Sequence, residues 1–224
     1  MPPRPMSPHP TPLPPMIVGQ PVLLAIDMQQ GGFTPGSASG IPHMADHPVR
    51  MRRARSVIDA ARAAAIPVVF FQEAHRRSMV DFGRELDGSE GVHCLEGNSA
   101  TEIAAEVVGL RPDDYVIRKR RYSCFFGTDL EILLKGLRAE TLVMLGGLTD
   151  VCVHYTFADG HQHDYRCRVV EDCVGGSGEP AHDASLRAME YLQTGARRSA
   201  QDVIEEFAAW SRTNTALSRA ARQA

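Results

Sequence analysis

A single α/β domain built on a parallel sheet is what this sequence predicts, and three observations point there. From about residue 20 onward, short β-branched or aliphatic runs alternate with longer helix-periodic stretches, the pattern of βαβ units. The short runs are nearly continuous in apolar residues rather than alternating, as expected of strands covered on both faces. With 224 residues, 43% of them hydrophobic, the chain can bury one sizeable core and needs no second one.

Residues 1–19 are rich in proline and lack a hydrophobic period, so they cannot bury enough surface to offset chain entropy. They are expected as a mobile or loosely draped arm, followed by a domain over 20–200 and a helix-compatible tail over 201–224. The first strand, Pro21-Val-Leu-Leu-Ala-Ile, stops at Asp27, and Gly31-Gly32 with Pro35-Gly36 opens a loop after it. Residues 47–65 read as a helix ending before Pro67, and Pro67 to Gln72 as the second strand. The glycine-containing segment 73–100 is too irregular to assign. A short helix near 101–109 leads into a third strand, Tyr115 to Arg118, with Lys119 directly after it. Thr128 to Gly136 suits a helix, Thr141 to Gly146 a fourth strand, and Val151 to Gln162 a helix with Thr149-Asp150 as its N-cap. Arg166 to Glu171 is a fifth strand, Pro180 to Leu192 a helix, and a short sixth strand lies near 196–199.

The formal net charge of -3 and a pI near 6.3 give no positive field of the kind that nucleic acid or an anionic membrane selects, so a small molecule is the expected partner. No apolar stretch approaches the length of a membrane span, and the prolines interrupt any signal-peptide core, so a cytoplasmic protein is expected. Five cysteines without a CxxC pair suggest reduced thiols rather than a disulfide framework or a cysteine zinc site.

Ligands of parallel α/β sheets bind beyond the carboxyl ends of the strands. Asp27, Lys119 and Cys152 all fall there, on three different connections. A helix N-terminus and a nearby ammonium would stabilise a Cys152 thiolate. Asp27 could take the thiol proton and return it to a leaving amine, and the Gly146-Gly-Leu-Thr-Asp150 turn could aim N–H groups at an oxyanion, worth about 3 kcal/mol per donor. Taken singly, each residue has a plainer reading. A cysteine is more often a small buried apolar residue than a nucleophile, and an aspartate at a strand end is often a turn cap. Cys94, Cys124, Cys167 and Cys173 receive that plainer reading. The basic run Arg118-Lys-Arg-Arg121 is either a solvated face or carries one residue turned into a cleft, and Tyr122 to Phe126 after it favours the latter.

Three motifs together resemble the cysteine hydrolases of the isochorismatase-like superfamily: Leu23-Leu-Ala-Ile-Asp27-Met-Gln, Lys119-Arg-Arg-Tyr-Ser-Cys-Phe and Gly146-Gly-Leu-Thr-Asp-Val-Cys152-Val, with Glu171-Asp-Cys173 and His182 following in the expected order. The resemblance covers about residues 20–200. It implies a three-layer α-β-α fold with a six-stranded parallel sheet in the order 3-2-1-4-5-6. It also implies that Asp27 shuttles protons, Lys119 positions, and Cys152 forms a thioester with release of ammonia or an amine, without a cofactor. A non-proline cis peptide would fall at Gly147–Leu148 and aim the N–H groups of Leu148 and Cys152 at the oxyanion. Family members are commonly dimers or tetramers, so a homo-oligomer is expected.

Within that resemblance, nicotinamidases hold a metal through an Asp-x-His pair after the second strand. This chain reads Phe71-Gln-Glu-Ala-His75-Arg there, so no metal is expected, and Glu73-x-His75-Arg76 is closer to the biuret and carbamoyl-amide branch. Candidate substrate-binding residues are Gln29, Phe33, Glu73, His75, Arg76 and Tyr122, with Arg121 a further possibility and His75 as readily a backbone-bonded loop histidine. The expected activity is hydrolysis of a linear C–N bond in a small ureido or carbamoyl amide. A nicotinamidase-like activity and a catalytically silent interaction protein are the alternatives. A nucleotide-binding module lacks its GxGxxG or GxxxxGKS loop. Residues 83–97 are expected to act as a lid.

Overall fold

The computed structural model describes residues 13–33 and 41–220. Residues 1–12 of the arm, the Pro35-Gly36 turn and residues 221–224 lie outside the described residues. Six strands, β1 (Gln20–Ile26), β2 (Val68–Glu73), β3 (Tyr115–Lys119), β4 (Ala139–Gly147), β5 (Arg166–Gly175) and β6 (Arg197–Arg198), form one parallel sheet in the order β3-β2-β1-β4-β5-β6. The helices are α1 (His47–Ala63), α2 (Ala105–Val108), α3 (Leu130–Gly136), α4 (His154–Gln162), α5 (Glu179–Leu192) and α6 (Ala200–Ala220).

Period-2 side-chain alternation splits each strand between two cores. Leu23 and Ala25 of β1, with Val143 and Leu145 of β4, pack under Met51, Ala54, Val57 and Ile58 of α1 and Val203 and Phe207 of α6. Val22, Leu24, Ile26, Leu142 and Met144 face the opposite way, against Leu130 and Leu134 of α3, Phe157 of α4 and Leu186 and Met189 of α5. These are the three layers of an α-β-α sandwich, and the continuous apolar strands follow from burial on both faces. Val203 and Phe207 are fully buried, so the start of α6 belongs to the core.

Residues 13–19 lie against the domain. The hydroxyl of Thr141 donates to Val18 O (2.7 Å), and the buried guanidinium of Arg168 donates to Met16 O (3.1 Å), Pro15 O (2.9 Å) and Cys167 O (2.8 Å). Among the described residues, no helix is long and apolar enough to cross a membrane.

Two local expectations change. The segment expected as the first turn of a helix is a π-helical turn, Thr149–Val153, preceding α4. Thr149 and Asp150 do not cap it by side-chain hydrogen bonds. Asp150 instead accepts from Ser177 N (2.8 Å) and Ser177 Oγ (2.5 Å), and Thr149 Oγ1 lies 2.8 Å from His182 Nδ1. These bonds tie the turn to the β5–α5 connection through Ser177 and to the first turn of α5 through His182. β5 also runs four residues past Glu171, after a register irregularity opposite Met144 and Gly146.

Candidate active site

The register fixes where the chemistry-bearing residues emerge. Ile26 pairs with Phe71 and Gly146, and Glu73 pairs with Lys119, so Asp27, Glu73, Lys119 and Gly147 end four neighbouring strands at one edge of the sheet. Asp27 leaves β1 with φ 49°, a left-handed conformation that aspartate tolerates better than most residues. β1 and β3 flank β2, so their backbones stand about 10 Å apart, a gap that a lysine side chain can bridge. Lys119 Nζ lies 2.7 Å from Asp27 Oδ2, an ion pair whose angle falls outside hydrogen-bond geometry, 2.5 Å from Glu73 Oε2 and 3.4 Å from Cys152 Sγ. Cys152 Sγ is 3.5 Å from Glu73 Oε2, and Glu73 N donates to Asp27 Oδ1 at 3.1 Å. The peptide between Gly147 and Leu148 is cis.

Burial sets the protonation states. It pushes the Asp27 carboxyl up to about 6 against the pull of the Lys119 ammonium. Glu73, although buried, is held well below the usual carboxylate range by Lys119 and by hydrogen bonds from His75 and His93. Burial would lower the Lys119 ammonium, but Asp27, Cys152 and Glu73 keep it charged. Burial, with Asp27 and Glu73, pushes the Cys152 thiol well above its ordinary range despite Lys119. Burial thus works against the thiolate that the ammonium would favour.

These residues open onto a cleft that communicates with solvent. Leu148 and Cys152 line it, as do Gln29, Glu73 and Tyr122. The Gln29 amide is already committed, donating to Glu73 O (2.9 Å) and Thr101 O (2.6 Å) and accepting from Glu73 N (3.1 Å). Phe33 packs against the α1-side core and does not line the cleft. His75 is fully buried behind Glu73, stacked on Phe82 at 3.9 Å. Arg76 is exposed and Arg121 donates to Asp81 O; neither lines the cleft. Segment 83–97 supplies Glu90, Val92, His93, Cys94 and Leu95 to its wall and is tied down by His75 N to Cys94 O (2.7 Å) and Glu96 N to His75 O (2.8 Å).

Sequence reasoning missed His43, His47, Glu85, Glu90 and His93. Glu85 and His93 complete a buried cluster with Glu73 and His75. His93 Nε2 is 2.9 Å from Glu73 Oε1, and His75 Nε2 is 3.4 Å from Glu73 Oε1 and 3.1 Å from Glu85 Oε2. Four donor atoms of this set lie within 4.8 Å of one another. The absent Asp-x-His pair argued against a metal, yet this set of two imidazoles and two carboxylates is compatible with a divalent cation, and both Glu85 oxygens are buried without a hydrogen-bond partner. His93 Nδ1 lies 2.7 Å from Gly91 O, which leaves Nε2 turned inward. Charge also balances without an ion when both rings are protonated. Despite burial, Glu73 and Glu85 push His75 up to about 9, and Glu73 raises His93.

Residues 21–202 match the Isochorismatase domain. A ureidoacrylate amidohydrolase RutB of Methylorubrum extorquens is 32% identical over 209 residues, covering 84% of this chain and 77% of its own length. Among solved structures, N-carbamoylsarcosine amidase from Thermoplasma acidophilum superposes with a TM-score of 0.69 at 26% identity, covering 81% of this chain and 97% of that one. A cysteine hydrolase from Pseudomonas syringae pv. phaseolicola shares the fold, with a TM-score of 0.80 at 22% identity, covering 89% of this chain and 99% of that one. Sheet order, strand-end cluster and domain match agree, and the chain belongs to the isochorismatase-like superfamily.

Proposed function

We propose that this chain is a cysteine-dependent amidohydrolase that cleaves a linear C–N bond in a small ureido or carbamoyl amide. The observation that carries the reading is the convergence of Asp27 and Cys152, which line the cleft, on the buried Lys119 beneath them, with Nζ 2.7 Å from the carboxylate and 3.4 Å from the sulfur. The names of the ureidoacrylate and N-carbamoylsarcosine relatives support the amide class.

In the first half-reaction Asp27 takes the Cys152 proton, and the sulfur attacks the amide carbonyl. The resulting oxyanion is assigned to the backbone N–H groups of Leu148 and Cys152. Asp27 then protonates the nitrogen as the C–N bond breaks, ammonia or an amine leaves, and a thioester remains. A water molecule gives its proton to Asp27 and attacks the thioester. Collapse releases the acid and returns the proton to the sulfur. Throughout, Lys119 holds Asp27 beside the sulfur and offsets negative charge in a site that already contains Glu73. An Asp27 carboxyl near 6 suits both roles, since it is ionised at neutral pH and still able to return a proton.

The test is ammonia release from biuret, ureidoacrylate, N-carbamoylsarcosine, maleamate and nicotinamide, comparing wild type with Cys152→Ala. Turnover of a ureido or carbamoyl member that vanishes in the variant, with an acyl adduct on Cys152 by mass spectrometry, supports the reading. Equal turnover in both proteins overturns it.

The Glu73, His75, Glu85 and His93 cluster favours one second reading, a metal-assisted amidase of aromatic amides. Those four residues would hold the ion, which would supply Lewis acidity beside the cleft. Stoichiometric zinc or iron in the purified protein, together with a preference for nicotinamide, would replace the first reading by this one.

A further inference from the structure

Among the polar residues of the cleft that the proposed chemistry does not use, two groups face the substrate's far end. One is the imidazole pair His43 and His47, with ring centroids 4.4 Å apart. His47 is 3% exposed, and its Nδ1 has no hydrogen-bond partner. Burial pushes His47 down to about 3 and lowers His43 as well, so both rings are neutral. The other group is Glu90, whose Oε2 accepts the Tyr122 hydroxyl at 3.0 Å, while the Tyr122 ring stacks on Tyr155 at 5.9 Å. That clamp fixes the carboxylate and leaves Oε1 without a protein partner among the described residues.

The carboxylates on the walls outnumber the cations free to answer a substrate: His93, which burial lowers and Glu73 raises, already has Nε2 on Glu73 Oε1 (2.9 Å) and Nδ1 on Gly91 O (2.7 Å). Asp27, Glu73 and Glu90 line the cleft, and the ammonium beneath it, Lys119, is already shared between Asp27 and Glu73. Neighbouring guanidiniums are engaged elsewhere. Arg118 donates to Gln72 Oε1, Arg120 to Ala74 O and Glu96, and Arg121 to Asp81 O. No arginine is among the described residues that line the cleft. A substrate carboxylate would lose its water there and meet Glu90 with no counter-charge left free, since Lys119 and His93 are both engaged, whereas N–H groups would find an acceptor in the Glu90 carboxylate and a hydrogen-bonding partner in the neutral His43 and His47 imidazoles.

We infer that this cleft selects amides whose non-reacting end is uncharged and rich in N–H groups, such as a second amide or ureido group, over amides ending in a carboxylate, with Glu90 as the residue that reads that end. The inference rests on the amidohydrolase reading and narrows its substrate class.

Matched pairs differing only in that end test it: maleamide against maleamate, and N-carbamoylglycinamide against N-carbamoylglycine. The wild type is expected to show at least a tenfold higher kcat/KM for the carboxamide member of each pair. Glu90→Gln, which keeps the size and can still accept from Tyr122, should bring the ratio below about threefold, mainly by raising KM for the carboxamide. A preference for the carboxylate member, or a ratio that Glu90→Gln leaves unmoved, overturns the inference. Calorimetric binding of the same pairs to full-length Cys152→Ala separates this result from the catalytic one. Tighter binding of the carboxamides in the absence of any wild-type turnover would sustain the charge selection while removing the amidase. Tighter binding of the carboxylates, or no binding of either, would remove the selection itself.

Discussion

Lys119 Nζ stands 3.4 Å from Cys152 Sγ, near enough to hydrogen-bond the sulfur, yet burial and the carboxylates of Asp27 and Glu73 keep the thiol protonated. Alkylation of Cys152 by iodoacetamide is therefore expected to keep accelerating as pH rises past about 8.5, the value of an unperturbed thiol. Lys119→Met should slow it further and lower kcat roughly a hundredfold or more. Peptide mapping by mass spectrometry reads the modification, and a rate that levels off below about pH 8 would contradict a protonated resting state.

Asp27 gives a pH dependence with a definite sign. Its folded-state carboxyl lies near 6, above the 3.8 of an ordinary aspartate, so the folded protein holds this proton more tightly than the unfolded chain does. The acid limb of kcat/KM should fall as pH drops through about 6, because the proton acceptor is lost. Stability from this group runs the other way, decreasing as pH rises from about 4 to 6. Asp27→Asn should then lower kcat by at least a hundredfold while leaving the melting temperature at pH 7.5 unchanged or higher. Paired pH–rate and thermal denaturation curves check both, and a melting temperature that drops steeply would show that the charged form stabilises the fold.

Gly146 sits in β4 with φ 113°, and a Cβ there would collide with the backbone of Ile26, including its carbonyl oxygen. Neither partner is a flexible side chain that could swing away. Gly146→Ala is expected to cost more than about 3 kcal/mol and to yield little soluble protein. A soluble variant of near-native melting temperature would mean that the β1–β4 seam can spread.

Arg168 is a fully buried guanidinium bonded to three main-chain carbonyls and 3.4 Å from the Gln193 side-chain oxygen. Arg168→Leu keeps much of the volume but strands Pro15 O, Met16 O and Cys167 O. The expected loss is about 3 kcal/mol, or a fall on the order of 10 °C in melting temperature. Limited proteolysis should then cut near residues 13–19 before the rest of the domain.

The strands were readable because burial on both faces makes them continuous apolar runs, as in Val22 to Ile26 and Leu142 to Leu145, while their order came from resemblance rather than from any local pattern. Asp27, Lys119 and Cys152 were readable because each directly follows or closes such a run or its glycine turn. Glu85, Glu90 and His93 were not. They lie in a stretch with no periodicity, and tertiary contacts such as the His75–Leu95 bridge and the His93–Glu73 hydrogen bond hold that stretch beside β2. His47 reads in sequence only as the start of a helix, since its place in the cleft depends on the fit of its ring beside Gly147 and Gly175. The π-turn around Cys152 was missed for a related reason. Its position is fixed by Thr149 and Asp150 reaching across to His182 and Ser177, partners about thirty residues away.

β1 lies between β2 and β4, which come from opposite halves of the chain, so Asp27 and Cys152 are brought together across that one seam. A chain divided in the loop before α3 would give one fragment carrying Asp27, Glu73 and Lys119 and another carrying Cys152, each inert alone. Mixed together, such halves would act as an all-or-none reporter, since hydrolysis returns only when the central pairing of Ile26 with Gly146 has been rebuilt.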